Sequence, residues 1–169
     1  QRLSVLLEGQ RLRILELGFE GAPLAADLCV GLNFDRVDYQ YSAQNIETAL
    51  MLQADFPDLQ ILTLEASEKV ARTPANGFDL ILVATDLAPL EAISQGLRHG
   101  AARLCANGEV LLLAQHPARW ADFTFGAEPS WWLAQQELQA LSVQQTPGFW
   151  QQELRRHGLK VSEPLELIP

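Results

Sequence analysis

The sequence has few of the residues from which metal sites and disulfide frameworks are built. Its 169 residues include two cysteines, Cys29 and Cys105, and three histidines. The cysteines form no C-x-x-C pair, and neither they nor the histidines have the spacing of metal ligands. We therefore predict free, buried cysteines in apolar helical segments, no metal site, and a reducing, cytoplasmic environment.

Long apolar runs and net positive charge are also absent. No run approaches the roughly 20 residues that a membrane helix needs, so we expect no membrane partner. The formal net charge is −9, and an acidic surface repels phosphate backbones, which argues against a nucleic-acid partner. Hydrophobic residues make up 48% of the chain, enough for one globular core. Because the chain starts at Gln1 rather than Met, we expect a single domain over residues 1–169, excised from a longer polypeptide.

Strand-like and helix-like segments alternate along the first two thirds of the chain. Strands are predicted over residues 13–18, 37–42, 59–65, 78–85 and 108–115, and helices over residues 21–33, 44–54 and 90–105. The last two strands lack period-2 alternation, as expected when helices cover both faces of a sheet. This order predicts an α/β fold with a doubly wound, mostly parallel sheet. An irregular aromatic segment (120–132), a helix (148–157) and a sixth strand (159–167) are predicted to follow.

Four segments occur in an order and at a spacing that identify a family. They are ILELGFEG (14–21), FDLILVATDLA (78–88), ANGEVLLLAQ (106–115) and ADFTFGAEPSWW (121–132). The chain resembles the C-methyltransferase domains of polyketide synthases, which are class I S-adenosylmethionine-dependent methyltransferases. The resemblance implies a Rossmann-like core of about six or seven strands. Active members carry a helical N-terminal lid lobe, which we expect to be absent because only residues 1–12 precede the first strand.

The glycine loop departs from the family pattern Glu-x-Gly-x-Gly-x-Gly. The chain keeps the first acidic residue and two glycines, but Glu20 and Ala22 stand at glycine positions; the loop residues are Glu16, Gly18, Glu20, Gly21 and Ala22. Glycine is expected there because the backbone takes unusual φ and approaches the cofactor without a Cβ in the way. Two interpretations of Glu20 stay open: its carboxylate faces the methionyl end of the cofactor, or it points to solvent at a helix start.

The remaining family positions also differ from those of an active enzyme. Tyr41 stands where the family places an acidic residue that binds both ribose hydroxyls, and we expect it to pack into that space. Glu65 falls near the acidic residue on the adenine side, as a relic or as a surface glutamate. The resemblance implies a histidine base after the fourth strand and a supporting glutamate at the end of the fifth, but these positions hold Ala88 and Gln115.

These departures predict a pseudo-methyltransferase domain with no catalytic residue and no S-adenosylmethionine binding. We expect it to be a structural domain of a multifunctional polyketide or fatty-acid-like synthase, with neighbouring domains, a ketoreductase above all, as partners. Two alternatives stay open: an active C-methyltransferase that acts on a β-ketoacyl carrier-protein thioester, and a ligand-binding regulatory module. The aromatic residues Phe123, Phe125, Trp131 and Trp132 either line a relict substrate channel or, as we predict, pin their loop against the sheet.

Overall fold

A computed structural model shows an α/β fold built on five parallel strands. The strands are β1 (Leu12–Leu17), β2 (Val37–Ala43), β3 (Gln60–Thr63), β4 (Phe78–Ala84) and β5 (Leu104–Leu113). The structure describes residues 11–19, 24, 35–43, 46–57, 59–63, 77–85, 88–127, 131–133 and 141–165. The chain consists of two compact units, of which the first comprises Gln1–Ala84 and Ala102–Leu113 and contains this sheet.

The strand order β3-β2-β1-β4-β5 is that of a doubly wound sheet. The chain runs outward from β1 through β2 to β3, and β4 then pairs with the other side of β1. Ligands of open α/β sheets bind beyond the carboxyl ends of the strands, at the point where the order reverses. The end of β1 is therefore the place in this fold where a ligand site is expected.

One face of the sheet carries an apolar core in the first unit. Side chains at alternate positions of a strand share a face, and the register places Ile14 beside Tyr39 and Glu16 beside Tyr41. Helix α1 (Ile46–Asp55) contributes Leu52 to the same buried cluster. This clustering indicates that α1 covers the β1–β2 face, and that a charged residue, Glu16, lies among apolar side chains.

An ion pair joins β1 to β4 on the opposite face. The Arg13 guanidinium donates to both carboxylate oxygens of Asp79, at 2.9 and 3.0 Å, and the Arg13 backbone N–H donates to the same carboxylate at 3.0 Å. Partial burial raises the pKa of Asp79, but hydrogen bonds and charge from Arg13 outweigh it, and the net pKa is lowered. The bidentate geometry is lost if β1 slides along β4, so the ion pair helps to fix the register of these two strands.

The second unit comprises Thr85–Ala101 and Ala114–Pro169. Its elements are α2 (Leu90–Ala101), α3 (Arg119–Phe125), the antiparallel pair β6 (Trp132–Leu133) and β7 (Leu141–Ser142), and α4 (Pro147–Arg156). Thr146 caps α4 by accepting a hydrogen bond from the Phe149 N–H, and Pro147 occupies the first turn, where a missing N–H costs nothing.

A buried carboxylate connects α2 to α4. Glu153 accepts hydrogen bonds from Ser94 Oγ at 2.6 Å, from Arg156 Nη1 at 3.0 Å and from His157 Nε2 at 3.3 Å. Burial raises the pKa of Glu153, but these three hydrogen bonds outweigh burial and the net pKa is lowered. The same His157 nitrogen also lies 3.3 Å from Ser94 Oγ. A serine-protease triad places the acid on the other ring nitrogen, so this cluster stabilises helix packing and does not form a nucleophile.

The class I methyltransferase fold predicted from the sequence is confirmed by the sheet. Helix 44–54 is observed as α1 and helix 148–157 as α4, whereas helix 21–33 lies outside the described residues except for Leu24. The predicted helix over 90–105 ends at Ala101, because the chain there turns into β5: the Phe78 N–H donates to the Arg103 carbonyl at 2.8 Å.

Three details of the sequence prediction are wrong. Cys105 lies half-buried in β5, not buried in a helix. Strand β5 is less buried than its apolar run predicts: it is an edge strand of the sheet formed by the described residues, and Leu111 is 48% exposed. No strand forms over residues 159–165, the described part of the predicted sixth strand. Each of these depends on which segment packs beside another, which local periodicity does not determine.

Candidate functional site

A buried carboxylate marks the carboxyl end of β1. Glu16 is only 2% exposed, and both of its oxygens accept hydrogen bonds: Oε2 from the Tyr39 hydroxyl at 2.6 Å and Oε1 from the Leu24 backbone N–H at 2.7 Å. An unpaired carboxylate in an apolar face is strongly unfavourable, so these donors are what permit its burial. Glu16 thereby ties Leu24 to the end of β1.

Tyr41 packs against Gly18 one step beyond this carboxylate. Tyr41 is 1% exposed, and a Cβ built on Gly18 would overlap the Tyr41 hydroxyl and its outer ring carbons. Among the described glycines, the positive φ values are at Gly77 and Gly158, so left-handed backbone is not what requires glycine at position 18. Our expectation of an unusual φ at Gly18 is therefore wrong. Glycine is needed there because the phenol ring lies directly on its α-carbon.

The environment of Tyr41 keeps its phenol neutral. Burial, reinforced by the negative charge of Glu16, raises the pKa of Tyr41 to about 12. The two side chains are neighbours in the β1–β2 register and lie on one face of the sheet. At physiological pH the end of β2 therefore presents an uncharged ring where an acidic residue would present a carboxylate.

Ala88 lies shortly after β4, in the second unit. It is 1% exposed, and its backbone N–H donates to the Thr85 carbonyl at 2.9 Å. A methyl side chain has no group that transfers a proton. Because Ala88 is buried, the larger imidazole of a histidine would fit at this position only if neighbouring atoms moved.

Gln115 is exposed just beyond β5 and belongs to a chain of amide hydrogen bonds. The Ala118 N–H donates to Gln144 Oε1 at 3.0 Å, and Gln144 Nε2 donates to Gln115 Oε1 at 3.0 Å. Because a backbone N–H only donates, it fixes which end of the Gln144 amide faces Gln115. Gln144 therefore needs an acceptor at position 115, and a glutamate there would accept the same hydrogen bond.

The structure thus brings three predicted site residues together: Glu16, Gly18 and Tyr41. Glu20, Gly21, Ala22 and Glu65 lie outside the described residues, so their roles stay predictions.

We did not predict three hydrogen-bond donors of the site. Tyr39 and Leu24 donate to Glu16, and Gln144 donates to Gln115. Tyr39 precedes Tyr41 by two positions and therefore shares its face of the strand, so that signal was present in the sequence. Nothing in the sequence pairs Gln144 with Gln115, 29 residues away.

The aromatic segment is held by its own side chains. Phe125 and Trp131 have ring centroids 5.2 Å apart, Trp131 Nε1 donates to Asp122 Oδ1 at 3.0 Å, and Trp132 Nε1 donates to the Gly126 carbonyl at 2.9 Å. These contacts connect α3 to β6 within one small buried cluster. Phe123 does not take part and is 95% exposed, so the prediction that it helps to pin the segment is wrong.

Two further properties concern metals and membranes. Within the described ranges, no group of three or more His, Cys, Asp or Glu side chains is placed to hold a metal ion. In the same part of the chain, no helix combines the length and apolar character needed to cross a membrane.

Comparison with known sequences identifies relatives of one kind. Highly reducing polyketide synthase pspA of Penicillium soppii is 26% identical over 137 residues, which are 75% of this chain and 5% of that protein. Fumosorinone synthetase of Cordyceps fumosorosea is 31% identical over 158 residues, 88% of this chain and 4% of that protein. The chain is homologous to polyketide synthases. It spans only about one twentieth of the length of these relatives, and no protein-family model matches it.

Solved structures with the same fold include methyltransferases. The CurJ carbon methyltransferase superposes with a TM-score of 0.71 at 22% identity, over 98% of this chain and 46% of that chain. The C-methyltransferase domain of the citrinin polyketide synthase gives 0.65 at 20% identity, over 89% and 41% of the two chains. The trans-methyltransferase CalH, whose structure contains SAH, gives 0.66 at 21% identity, over 88% and 44%. These similarities show the class I methyltransferase fold, and more than half of each larger chain has no counterpart here.

Proposed function

We propose that this chain is a pseudo-C-methyltransferase domain of a polyketide synthase, which neither binds S-adenosylmethionine nor transfers a methyl group. The observation that supports this most strongly is the packing of Tyr41 on Gly18 at the end of β1. In a doubly wound sheet that end adjoins the ligand crevice. The residues present there do not fit the nucleoside of the cofactor.

The first argument is the loss of hydrogen-bond acceptors for the ribose. In the family that this chain resembles, an acidic residue at the position of Tyr41 binds both ribose hydroxyls. A neutral phenol cannot accept both, and each lost hydrogen bond to a charged group costs about 1.5–3 kcal/mol. Two such losses weaken binding by roughly 10²–10⁴-fold. Glu16 offers no replacement, because its carboxylate is only 2% exposed and is held in place by hydrogen bonds from Tyr39 and Leu24.

The second argument is the absence of a base at the family positions. Ala88 and Gln115 have no group that removes a proton from the α-carbon of a β-ketoacyl thioester. A positioned general base contributes about 10²–10⁴ to the rate of such a step. Gln115 supports its own loop through Gln144, which is a structural use of the position that in the family supports a histidine.

The third argument concerns the role that remains. The relatives are multidomain synthases of which this chain matches a small part. A folded core that lacks the reaction serves such a protein as a spacer and as a surface on which neighbouring domains assemble. We propose adjoining domains, a ketoreductase among them, as its partners.

Isothermal titration calorimetry of the chain with S-adenosylmethionine and S-adenosylhomocysteine tests the proposal. We expect no heat of binding at millimolar cofactor, in protein whose fold is verified by circular dichroism. A second measurement incubates the chain with methyl-labelled S-adenosylmethionine and a β-ketoacyl carrier protein, and we expect no label on the acyl chain. A micromolar dissociation constant together with label transfer would establish the alternative, an active C-methyltransferase.

The Gln115→Glu and Ala88→His variants supply matched comparisons. Gln115→Glu keeps the hydrogen bond from Gln144 and is expected to leave the stability of the fold unchanged. Adding Ala88→His restores both family base positions, yet we expect no methyl transfer while Tyr41 remains.

A thermal-shift screen tests the regulatory alternative: stabilisation by another metabolite, without stabilisation by the methyl donor, would favour a ligand-binding module.

A further inference from the structure

Helix α3 exposes two aromatic rings on one face. Trp120 is 65% exposed and Phe123 is 95% exposed. Their spacing of three residues places the two side chains side by side on the helix surface. Single exposed apolar side chains are common, but adjacent large aromatic rings form the kind of patch that marks binding surfaces. We call these two side chains the α3 patch.

The α3 patch cannot turn inward, because the other side of α3 is anchored. Ala121 is fully buried, and Asp122 accepts the hydrogen bond from the Trp131 indole. At the end of the helix, a Cβ on Gly126 would overlap the Asp122 carbonyl oxygen, so the chain closes tightly there. The rings are therefore held in an outward orientation before any partner arrives, which lowers the entropic cost of binding.

The size of the patch decides what kind of partner fits it. A large aromatic side chain buries about 150–250 Å², so two of them supply well under the roughly 800 Å² that each side of a stable protein interface contributes. A second copy of the chain, free in solution, would not dimerise on this patch alone. A segment tethered to the same polypeptide would bind, because tethering raises its effective concentration to the millimolar range.

We propose that the α3 patch is a docking surface for an apolar segment of the polypeptide that adjoins this domain in a synthase. The proposal rests on the proposed function, in which the chain is one domain of such a protein. The matched relatives are about twenty times longer than the segment they share with this chain. More than half of the CurJ methyltransferase chain also lies outside the shared core. A synthase of that length supplies ample additional polypeptide in cis.

Site-specific photo-cross-linking in the complete synthase polypeptide tests this docking. The photoreactive residue p-benzoylphenylalanine replaces Phe123, and mass spectrometry maps its products after irradiation. We expect one dominant cross-link within a single polypeptide, to an apolar segment outside residues 1–169. The same photoreactive residue at Lys160, which is exposed outside the helices, serves as the matched control and should not reach that segment. Adding Trp120→Ser to the Phe123 probe should abolish the cross-link.

Three outcomes would overturn the proposal: cross-links between two copies of the chain, cross-links only to an acyl thioester on the carrier protein, and no protein product at all. Because both side chains are exposed, the variants are expected to keep the circular dichroism spectrum of the parent, which verifies that a lost cross-link is not a lost fold. Cofactor calorimetry does not depend on the α3 patch. Failure of the docking proposal and failure of the pseudo-enzyme proposal are therefore measured separately.

Discussion

Replacing Gly18 by alanine tests whether the Tyr41 ring fills the end of β1. The added methyl group would overlap the hydroxyl and outer ring carbons of Tyr41, so either the ring leaves its position or β1 shifts against β2. Overpacking of this kind costs about 1–3 kcal/mol. Expelling a fully buried large side chain costs about 1.5–3 kcal/mol. Both routes predict a loss near 2 kcal/mol, which lowers the ratio of folded to unfolded protein roughly 30-fold.

A double-mutant cycle separates this contact from any other role of Gly18. Tyr41→Leu removes the hydroxyl and outer ring atoms that the methyl would meet, so Gly18→Ala should cost far less in that background. We expect a coupling free energy of about 1–2 kcal/mol, measured by urea denaturation followed by tryptophan fluorescence. Gly148→Ala is the control: a Cβ there meets only Thr146 Oγ1, at 4.0 Å, and the change should be neutral or stabilising.

Equal destabilisation by Gly18→Ala in both backgrounds, to within about 0.5 kcal/mol, would refute the reasoning. It would mean that the Tyr41 ring does not occupy the space above Gly18. The packing of Tyr41 on Gly18, which most strongly supports the proposed function, would then be lost as evidence, although the missing acceptors for the ribose would remain.

Two further predictions follow from titratable groups. The pKa of Tyr41 lies at about 12, above its ordinary value of 10.0, so the neutral phenol stabilises the fold fully below pH 10 and loses this contribution as the pH rises to 12. In Tyr39→Phe, which leaves one of the two tyrosines, ultraviolet absorbance should show a single phenol titrating near pH 12, and a midpoint near 10 would contradict its burial. Glu153 has a lowered pKa, so its stabilisation is present above the ordinary carboxyl pKa and is lost as the pH falls through the lowered one. Ser94→Ala should therefore cost about 1.5–3 kcal/mol at neutral pH and less in acid, and an equal cost at every pH in urea denaturation would be inconsistent with this hydrogen bond.

The sequence predicted the architecture well because the β-α alternation is a local signal. The apolar run FDLILVA predicts a buried strand, and Ile81 and Val83 of β4 are fully buried as expected. The succession of five strand-like runs, most of them separated by a helix-like run, predicts a parallel sheet. The family motifs also placed Gly18 and Tyr41 at the ends of β1 and β2, where the structure has them.

Irregular segments were predicted less well, because their structure depends on distant partners. Helix α3 lies in a segment predicted to be irregular, and it is fixed by Trp131 and Trp132 rather than by its own propensity. The strands β6 and β7 have two residues each, and runs this short give no periodicity to detect. The hydrogen bonds from Trp131 and Trp132 orient α3 so that Phe123 is exposed. The residue type alone predicts burial instead.

By itself, the amino-acid sequence determined the fold class, the position of the cofactor loop and the identity of the residues at each family position, because these depend on local patterns and on residue chemistry. Only the tertiary structure decided how those residues are used: the phenol of Tyr41 lies on Gly18, Tyr39 holds the carboxylate of Glu16 from 23 residues away, and Gln144 holds Gln115 from 29 residues away. The physical reason is that such contacts require strand register and close packing between segments far apart in the chain. No pattern within a single segment encodes that register or that packing.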